Sequence, residues 1–407
     1  MTPAIRWFHR SFSAFGLKFD QTHMNEMIVK RSVRPLFTAV FVLAVAGVTL
    51  GLWVIASGAG IRTQKLPLVI KQTLLTFSEV DLADDSLKQN VEQLVGMDSG
   101  NVRINLQRSF RWVGRYRLDT GSRSLNNGPM ELDSQEFHKL QLIFRRNLQD
   151  WWRNRRFEPD VMSNMINVLE GPMIAGKSDS GRKYKTCAIV GNSGILLKTN
   201  FGDAIDEHEF IIRLNNARIS GYERFVGSKT SLSFMNSNIL HLCSRRGGCF
   251  CHTYGEQVPI LMYISQPIHF LDYVVCSSSH KAPLMITDPK LDVLTARIVK
   301  YYSAKRFLME SGKPLEAWNS THGGPEFHYS SGMQAIMFSL GVCDKVSIFG
   351  FGKSDSAKHH YHTNQKTELW LHDYQAEYDL YEDLVKNPKA IPFVSDKFKF
   401  PPVVIHR

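Results

Sequence analysis

A chain of 407 residues with 43% hydrophobic and 21% charged side chains can bury a core, which excludes a disordered polypeptide as its overall character. The length exceeds one typical domain, and a single large α/β domain with an anchor and a spacer accounts for it. A formal net charge of +11 points to an anionic partner (a nucleotide, an acidic glycan, a membrane surface or nucleic acid) without choosing among them.

Residues 1–35 form a polar leader with Arg6, Arg10, Lys18, Lys30, Arg31 and Arg34 set against Asp20 and Glu26. No charged residue occurs from Leu36 to Ile61. About 20 apolar residues cross a bilayer core as a helix, so 36–57 is expected to be a transmembrane signal anchor. A cleaved signal peptide has a shorter apolar segment nearer the N-terminus. The basic flank places residues 1–35 in the cytosol and the remainder across the membrane, a single-pass type II topology expected at the Golgi. Nucleic acid is then not an expected partner.

In an oxidising lumen the six cysteines, Cys187, Cys243, Cys249, Cys251, Cys276 and Cys343, are an even set suited to disulfides. A metal site is not expected, because Cys249 and Cys251 are too close together for paired zinc ligands. Asn319-Ser-Thr321 makes Asn319 a candidate glycan acceptor on a lumenal loop. Residues 58–135 mix short apolar pieces with runs such as Asp81-Leu-Ala-Asp-Asp-Ser86 and read as a weakly structured stem. The domain of interest is expected over 136–407. Between about Ser134 and Leu169 the spacing of Phe137, Leu140, Ile143, Phe144, Leu148, Trp151 and Trp152 predicts a helix. Its Arg145, Arg146, Arg153, Arg155 and Arg156 read as a solvated face.

Thr186-Cys-Ala-Ile-Val190 is a short β-branched run that predicts a buried strand, with Ile195-Leu-Leu197 opening the helix after it. Gly191-Asn-Ser-Gly194 lies in the crossover, where glycines allow close approach of a ligand and free N–H groups favour a phosphate. A second strand, Glu209–Leu214, ends at Asn215 and Asn216. Two such strand ends beside a glycine turn suit a nucleotide at the C-terminal edge of a parallel sheet. The third glycine of the dinucleotide fingerprint is missing, which argues against an NAD-type oxidoreductase, and no Walker lysine pattern occurs.

Tyr329 to Gly341 predicts a helix capped by Ser330 or Ser331, followed by the strand Val346–Phe349 and the turn Gly350-Phe-Gly352. The second hydroxyl and Gly332 would face a ligand phosphate or ribose at the positive end of the helix. A histidine cluster, Lys358-His-His-Tyr-His362, follows, and His372 opens His372-Asp-Tyr-Gln-Ala-Glu377.

In this order, Cys187 to Asn238 resembles the large sialyl motif of sialyltransferases, glycosyltransferase family 29. Tyr329 to Gly352 resembles the small motif, His359-His-Tyr361 the third, and His372 with Glu377 the very small motif. The resemblance covers about Tyr184 to the C-terminus. Leu214-Asn-Asn-Ala217, Tyr329-Ser-Ser-Gly332 and His359-His-Tyr-His362 are most similar to the plant-type sialyltransferase-like branch. The resemblance implies a glycosyltransferase-A-like α/β domain, a Rossmann-type parallel sheet flanked by helices. It further implies that Asn192, Ser193, Asn215, Ser330, Ser331, Gly332, His360 and Tyr361 bind the donor nucleotide, CMP. His360 would donate to the departing phosphate, His372 would be the general base, and Cys187 would pair with Cys343. The other four cysteines keep three possible pairings.

A base acting on a sugar hydroxyl must be neutral near pH 6 to 7, which a histidine satisfies, and in-line attack inverts the anomeric centre. No Asp-x-Asp triplet occurs, so no metal and no other cofactor is expected, with His360 balancing the leaving-group charge. His372 and Glu377 are five apart, about 140° round a helix, so they are not expected to pair. Tyr329-Ser-Ser-Gly332 departs from the Pro-Ser-Thr-Gly of animal members, and His362 replaces an aromatic or acidic residue. The expected reaction is transfer of sialic acid, or a related keto-acid sugar such as Kdo, from its CMP form to galactose-containing glycans. Two alternatives stand beside it: galactosyl transfer from UDP-galactose to arabinogalactan chains, and a membrane-anchored glycan-binding protein without catalysis.

Overall fold

The computed structural model describes residues 67–79, 84–96, 135–166, 182–240, 253–279, 281–322, 324, 327–354, 356–364 and 371–407. The chain divides into Met1–Pro67 and Leu68–Arg407, and the described elements belong to the second unit. The leader and the expected anchor 36–57 lie outside the described residues, as do Cys243, Cys249, Cys251 and the side chain of Cys276. Among the described residues no helix is long and apolar enough to cross a membrane.

Among the described residues seven short strands form one sheet: β1 (Cys187–Val190), β2 (Phe210–Leu214), β3 (Leu232–Asn236), β4 (Ile260–Tyr263), β5 (Leu284–Ile286), β6 (Val346–Phe349) and β7 (Val403–His406). Their spatial order is β5-β4-β3-β2-β1-β6-β7, and every pairing is parallel. This is the Rossmann-type sheet expected, and β1, β2 and β6 fall where the sequence predicts strands. Both faces of β1, β2 and β6 are covered, so all their residues are buried and, apart from Ser347 and Arg213, apolar rather than alternating. Arg213 in β2 is the charged exception. Its guanidinium, 1% exposed, donates to the Val226 and Lys229 carbonyls and to Thr230 Oγ1, tying down the connection to β3.

Among the described residues seven longer helices accompany the sheet: α1 (Leu68–Glu79), α2 (Asp84–Gly96), α3 (Gln135–Asn154), α4 (Phe270–Ser279), α5 (Pro289–Ser311), α6 (Ser331–Val342) and α7 (Tyr374–Lys386). Helix α6 is buried continuously from Gly332 to Val342 and packs on β1, β2 and β3. A helix apolar all round belongs in the interior, and α5 covers it in turn. Asp288 caps α5 by accepting from Lys290 N–H, Pro289 occupies its first turn, and Gly312 closes it in the left-handed region at φ 62°. Cys343 follows α6 directly and is disulfide-bonded to Cys187 at the start of β1, Cα–Cα 6.1 Å, as the family resemblance implies. The bond joins the buried helix to the central strand.

Three expectations change. Within the stem 58–135, α1 and α2 are ordered helices: α1 packs on α5 and α2 on α3, burying Leu74, Val91 and Leu94. The helix expected to reach Leu169 ends at Asn154, five residues before Pro159, although Phe144, Leu148 and Trp151 are buried on its inner face as predicted. Its basic side is solvated only in part: Arg146 and Arg153 are exposed beside Asp150, whereas Arg145 and Arg155 are half-buried and Arg155 lies over the Trp151 ring at 5.7 Å. Between β1 and β2 there is no long helix; Gly194–Lys198 is a 3-10 turn followed by the short helix Gly202–Asp206.

Candidate active site

The chain runs from β1 outward to β5 on one side and then returns to β6 and β7 on the other, so the reversal lies between β1 and β6. Open α/β sheets bind ligands beyond the C-terminal ends of their strands at such a reversal, so the candidate crevice is the region past the ends of β1, β2 and β6. Gly191 to Gly194 leave β1 here, and Gly350 to Gly352 leave β6. The two loops are tied together: Ser193 N–H donates to the Gly350 carbonyl at 3.3 Å and the Ser193 hydroxyl to the Gly352 carbonyl at 2.9 Å. A Cβ on Gly191 would stand 2.6 Å from the Gly350 oxygen. The glycine therefore serves the approach of one protein loop to the other. Ser193, which also caps the 3-10 turn through Ile195 N–H, is likewise occupied within the protein.

Asn192 offers more to a ligand. Its carbonyl accepts from Tyr361 N–H at 2.8 Å, but its side-chain Oδ1 is buried without a hydrogen-bond partner, an acceptor suited to a ribose hydroxyl. Asn215 ends β2 at φ 54°, a left-handed position that Asn tolerates. Its Oδ1 accepts from Asn236 N–H at 2.9 Å, and its Nδ2 lies 3.5 Å from Ser331 Oγ. The end of β2 thus faces the start of α6. There Ser330 is the cap, accepting from Met333 N–H at 3.1 Å, and Ser331 and Gly332 form the first turn. Gly332 has no room for a side chain, since a Cβ there would meet Phe351 Cε1 at 2.5 Å.

The histidines gather on the same side. His360 stacks between His359 at 4.5 Å and His362 at 5.7 Å. Burial and these two neighbours push its pKa down to about 3, so it is neutral and a donor of one N–H. His359 also lies edge-on to Tyr374 at 5.3 Å, and Tyr374 packs edge-on to His372 at 5.3 Å, so the third and very small motifs converge. Tyr361 departs from its expected role. It is 3% exposed, its hydroxyl donates to the Arg218 carbonyl at 2.6 Å, and its ring packs on Tyr222, making it a pillar beneath the crevice.

His372 has the geometry of a base. Its Nδ1 lies 2.7 Å from the His328 carbonyl, which can only accept, so Nδ1 carries the hydrogen and Nε2 keeps its lone pair. Burial lowers its pKa to about 4, against the opposing effect of that hydrogen bond, and it is neutral at physiological pH. His328 N–H donates in turn to the Leu371 carbonyl at 3.0 Å, so the segments preceding α6 and α7 are clasped together. Asp373, next to His372, caps α7 and is held at about 2 by hydrogen bonds from His322, Ser303 and Ala376 N–H, which outweigh its burial.

His359, Tyr374 and the His328 carbonyl join the site without having had a role assigned from the sequence. His359 and Tyr374 lie within quoted motifs and His328 beside one, so each carried a signal; the role of the His328 backbone carbonyl carried none. Glu377 does not pair with His372, as its spacing indicated; it accepts from Ser330 instead. Asn319 is on the helical turn Trp318–Thr321 rather than on a loop, with its Oδ1 buried and Thr321 Oγ1 donating back to the Ala317 carbonyl. Among the described residues no three His, Cys, Asp or Glu side chains are arranged to hold a metal ion.

Residues 133–389 match glycosyltransferase family 29 (sialyltransferase). A beta-1,6-galactosyltransferase of Arabidopsis thaliana, GALT29A, is 46% identical over 407 residues, covering 93% of this chain and 100% of that protein. Sialyltransferase-like protein 1 of Oryza sativa subsp. japonica is 47% identical over 363 residues, covering 84% of this chain and 88% of its own. The CMP-N-acetylneuraminate-beta-galactosamide-alpha-2,3-sialyltransferase 1 of Gallus gallus is 25% identical over 248 residues, 56% of this chain and 66% of its own. On its motifs, its parallel sheet and these matches, the chain belongs to glycosyltransferase family 29 and is a glycosyltransferase.

Proposed function

We propose that this protein is an inverting galactosyltransferase, taking galactose from UDP-galactose and adding it to galactose-containing glycan chains, with His372 as general base. The observation that supports the base is the His328 carbonyl on Nδ1, which leaves Nε2 to take the proton of the acceptor hydroxyl. As that oxygen attacks the anomeric carbon from the face opposite the nucleotide, the carbon–phosphate oxygen bond breaks and the nucleotide leaves with its electrons. The N–H groups at the start of α6 and the neutral His360 stabilise the departing phosphate. Inversion of the α-linked donor yields a β-linked product. The full-length similarity to a β-1,6-galactosyltransferase supports galactose as the sugar. Residues 36–57 and the basic leader support a type II Golgi membrane protein with this domain in the lumen.

A second reading keeps CMP-sialic acid or CMP-Kdo as donor. It is favoured by the lack of an Asp-x-Asp triplet, since a monophosphate leaving group needs no metal clamp. The full chain, purified in detergent, is to be incubated with CMP-sialic acid, CMP-Kdo or UDP-galactose and a galactan acceptor, with and without EDTA. Transfer from UDP-galactose with a β-linked, EDTA-insensitive product is expected. Turnover of CMP-sugars alone replaces the first reading with the second, and no turnover of any donor favours a glycan-binding protein.

A further inference from the structure

We infer that Glu377 is a positioning residue for the nucleotide: it sets the start of α6 through Ser330 and never touches the donor. The inference rests on the reading of the β1/β6 crevice as a nucleotide site. Glu377 sits in the first turn of α7, 1% exposed, with both carboxyl oxygens engaged. Oε1 accepts from Ser330 N–H at 2.6 Å, while Oε2 accepts from the Ser330 hydroxyl at 2.5 Å and from Tyr381 OH at 3.2 Å. Because the Ser330 hydroxyl gives its hydrogen to Glu377, its lone pairs point to Met333 N–H, which fixes the cap. The N–H groups of Ser331 and Gly332, which have no carbonyl partner within the helix, belong to the turn so fixed, whose Ser331 hydroxyl lies 3.5 Å from Asn215 Nδ2. One carboxyl thus determines where the helix presents its free donors.

Position carries an electrostatic consequence. A phosphate at these N–H groups stands across Ser330 from Glu377, so an ionised carboxylate repels it and a neutral one does not. The groups around Glu377 are Ser330 on α6, Tyr263 on β4, and Tyr381 and Asp373 on its own element. Burial pushes its pKa up to about 7, with the hydrogen bonds from Ser330 and Tyr381 opposing and the Asp373 charge assisting. Phosphate binding raises it further, so nucleotide binding takes up a proton and weakens as pH rises from 6 to 8.

The test is calorimetric titration of the full-length protein with CMP and with UDP at pH 6 and pH 8. Glu377→Ala is expected to raise Kd about tenfold, the cost of releasing a charge-assisted cap. Glu377→Gln, which can still accept from Ser330 N–H, is expected to bind near the wild-type level at pH 6 and to lose the weakening between pH 6 and 8. Tyr302→Phe, which removes the 2.7 Å hydrogen bond to Asp383 elsewhere on α7, controls for general loosening and leaves Kd unchanged while lowering Tm. Wild-type affinity in Glu377→Ala, or parallel pH profiles for wild type and Glu377→Gln, overturns the inference. If the wild type binds neither nucleotide, the nucleotide reading of the crevice falls and takes this inference with it.

Discussion

Replacing His372 with Asn should flatten the dependence of folding stability on pH, because Asn can still donate to the His328 carbonyl but cannot titrate. In the folded protein burial holds the His372 pKa at about 4, against 6.5 for an ordinary histidine. The unfolded chain therefore binds a proton that the native state refuses, and the stability due to neutral His372 is lost as pH falls from 6.5 toward 4. Between pH 7.5 and pH 5 that amounts to about 2 kcal/mol, an upper figure because the ring is only partly shielded from water. The wild-type curve alone is not diagnostic. Glu377 and Asp292, both pushed up to about 7 chiefly by burial, act in the opposite direction and lose stability as pH rises through 7. The difference between variant and wild type cancels them. Urea unfolding of both proteins at pH 7.5 and pH 5 measures it: the wild type should lose about 2 kcal/mol more than His372→Asn. Parallel losses would refute the assignment of a neutral, buried base.

Two further outcomes follow from the geometry. Breaking the Cys187–Cys343 bond, which links positions 156 apart, should cost about 3–5 kcal/mol by loop entropy, seen as a lower urea midpoint for Cys343→Ala; an unchanged midpoint would deny the bond a role in folding. Tyr361→Phe strands the Arg218 carbonyl and should cost about 1–2 kcal/mol while leaving the donor KM unchanged, whereas a raised KM with normal stability would return Tyr361 to the nucleotide pocket.

The sequence announced the centre of the sheet more clearly than its edges. β1, β2 and β6 are β-branched runs that end in glycine or asparagine at the crevice, so both the strand and its function left a trace. β3, β4, β5 and β7 are runs of three to five residues without alternation, and only pairing with distant neighbours selects them as strands. Helix α5 is buried over thirteen of its residues on several sides, which erases the one-sided stripe that would have revealed it. At the site, residue types were legible but directions were not. Ser193 and Tyr361 stand at motif positions expected of ligand contacts, yet their hydroxyls face the carbonyls of Gly352 and Arg218. Glu377 is the converse: its distance from His372 excluded pairing, but only the packing of α7 beside the start of α6 reveals Ser330 as its partner.

In the proposed mechanism His372 takes the acceptor proton at a nucleotide site beyond the ends of β1, β2 and β6. The direct measurement is single-turnover transfer by His372→Ala, with the donor that the wild type uses, alongside nucleotide affinity for both proteins. A rate lower by about 10²–10⁴-fold with nucleotide Kd unchanged is expected. Transfer at the wild-type rate would contradict the mechanism.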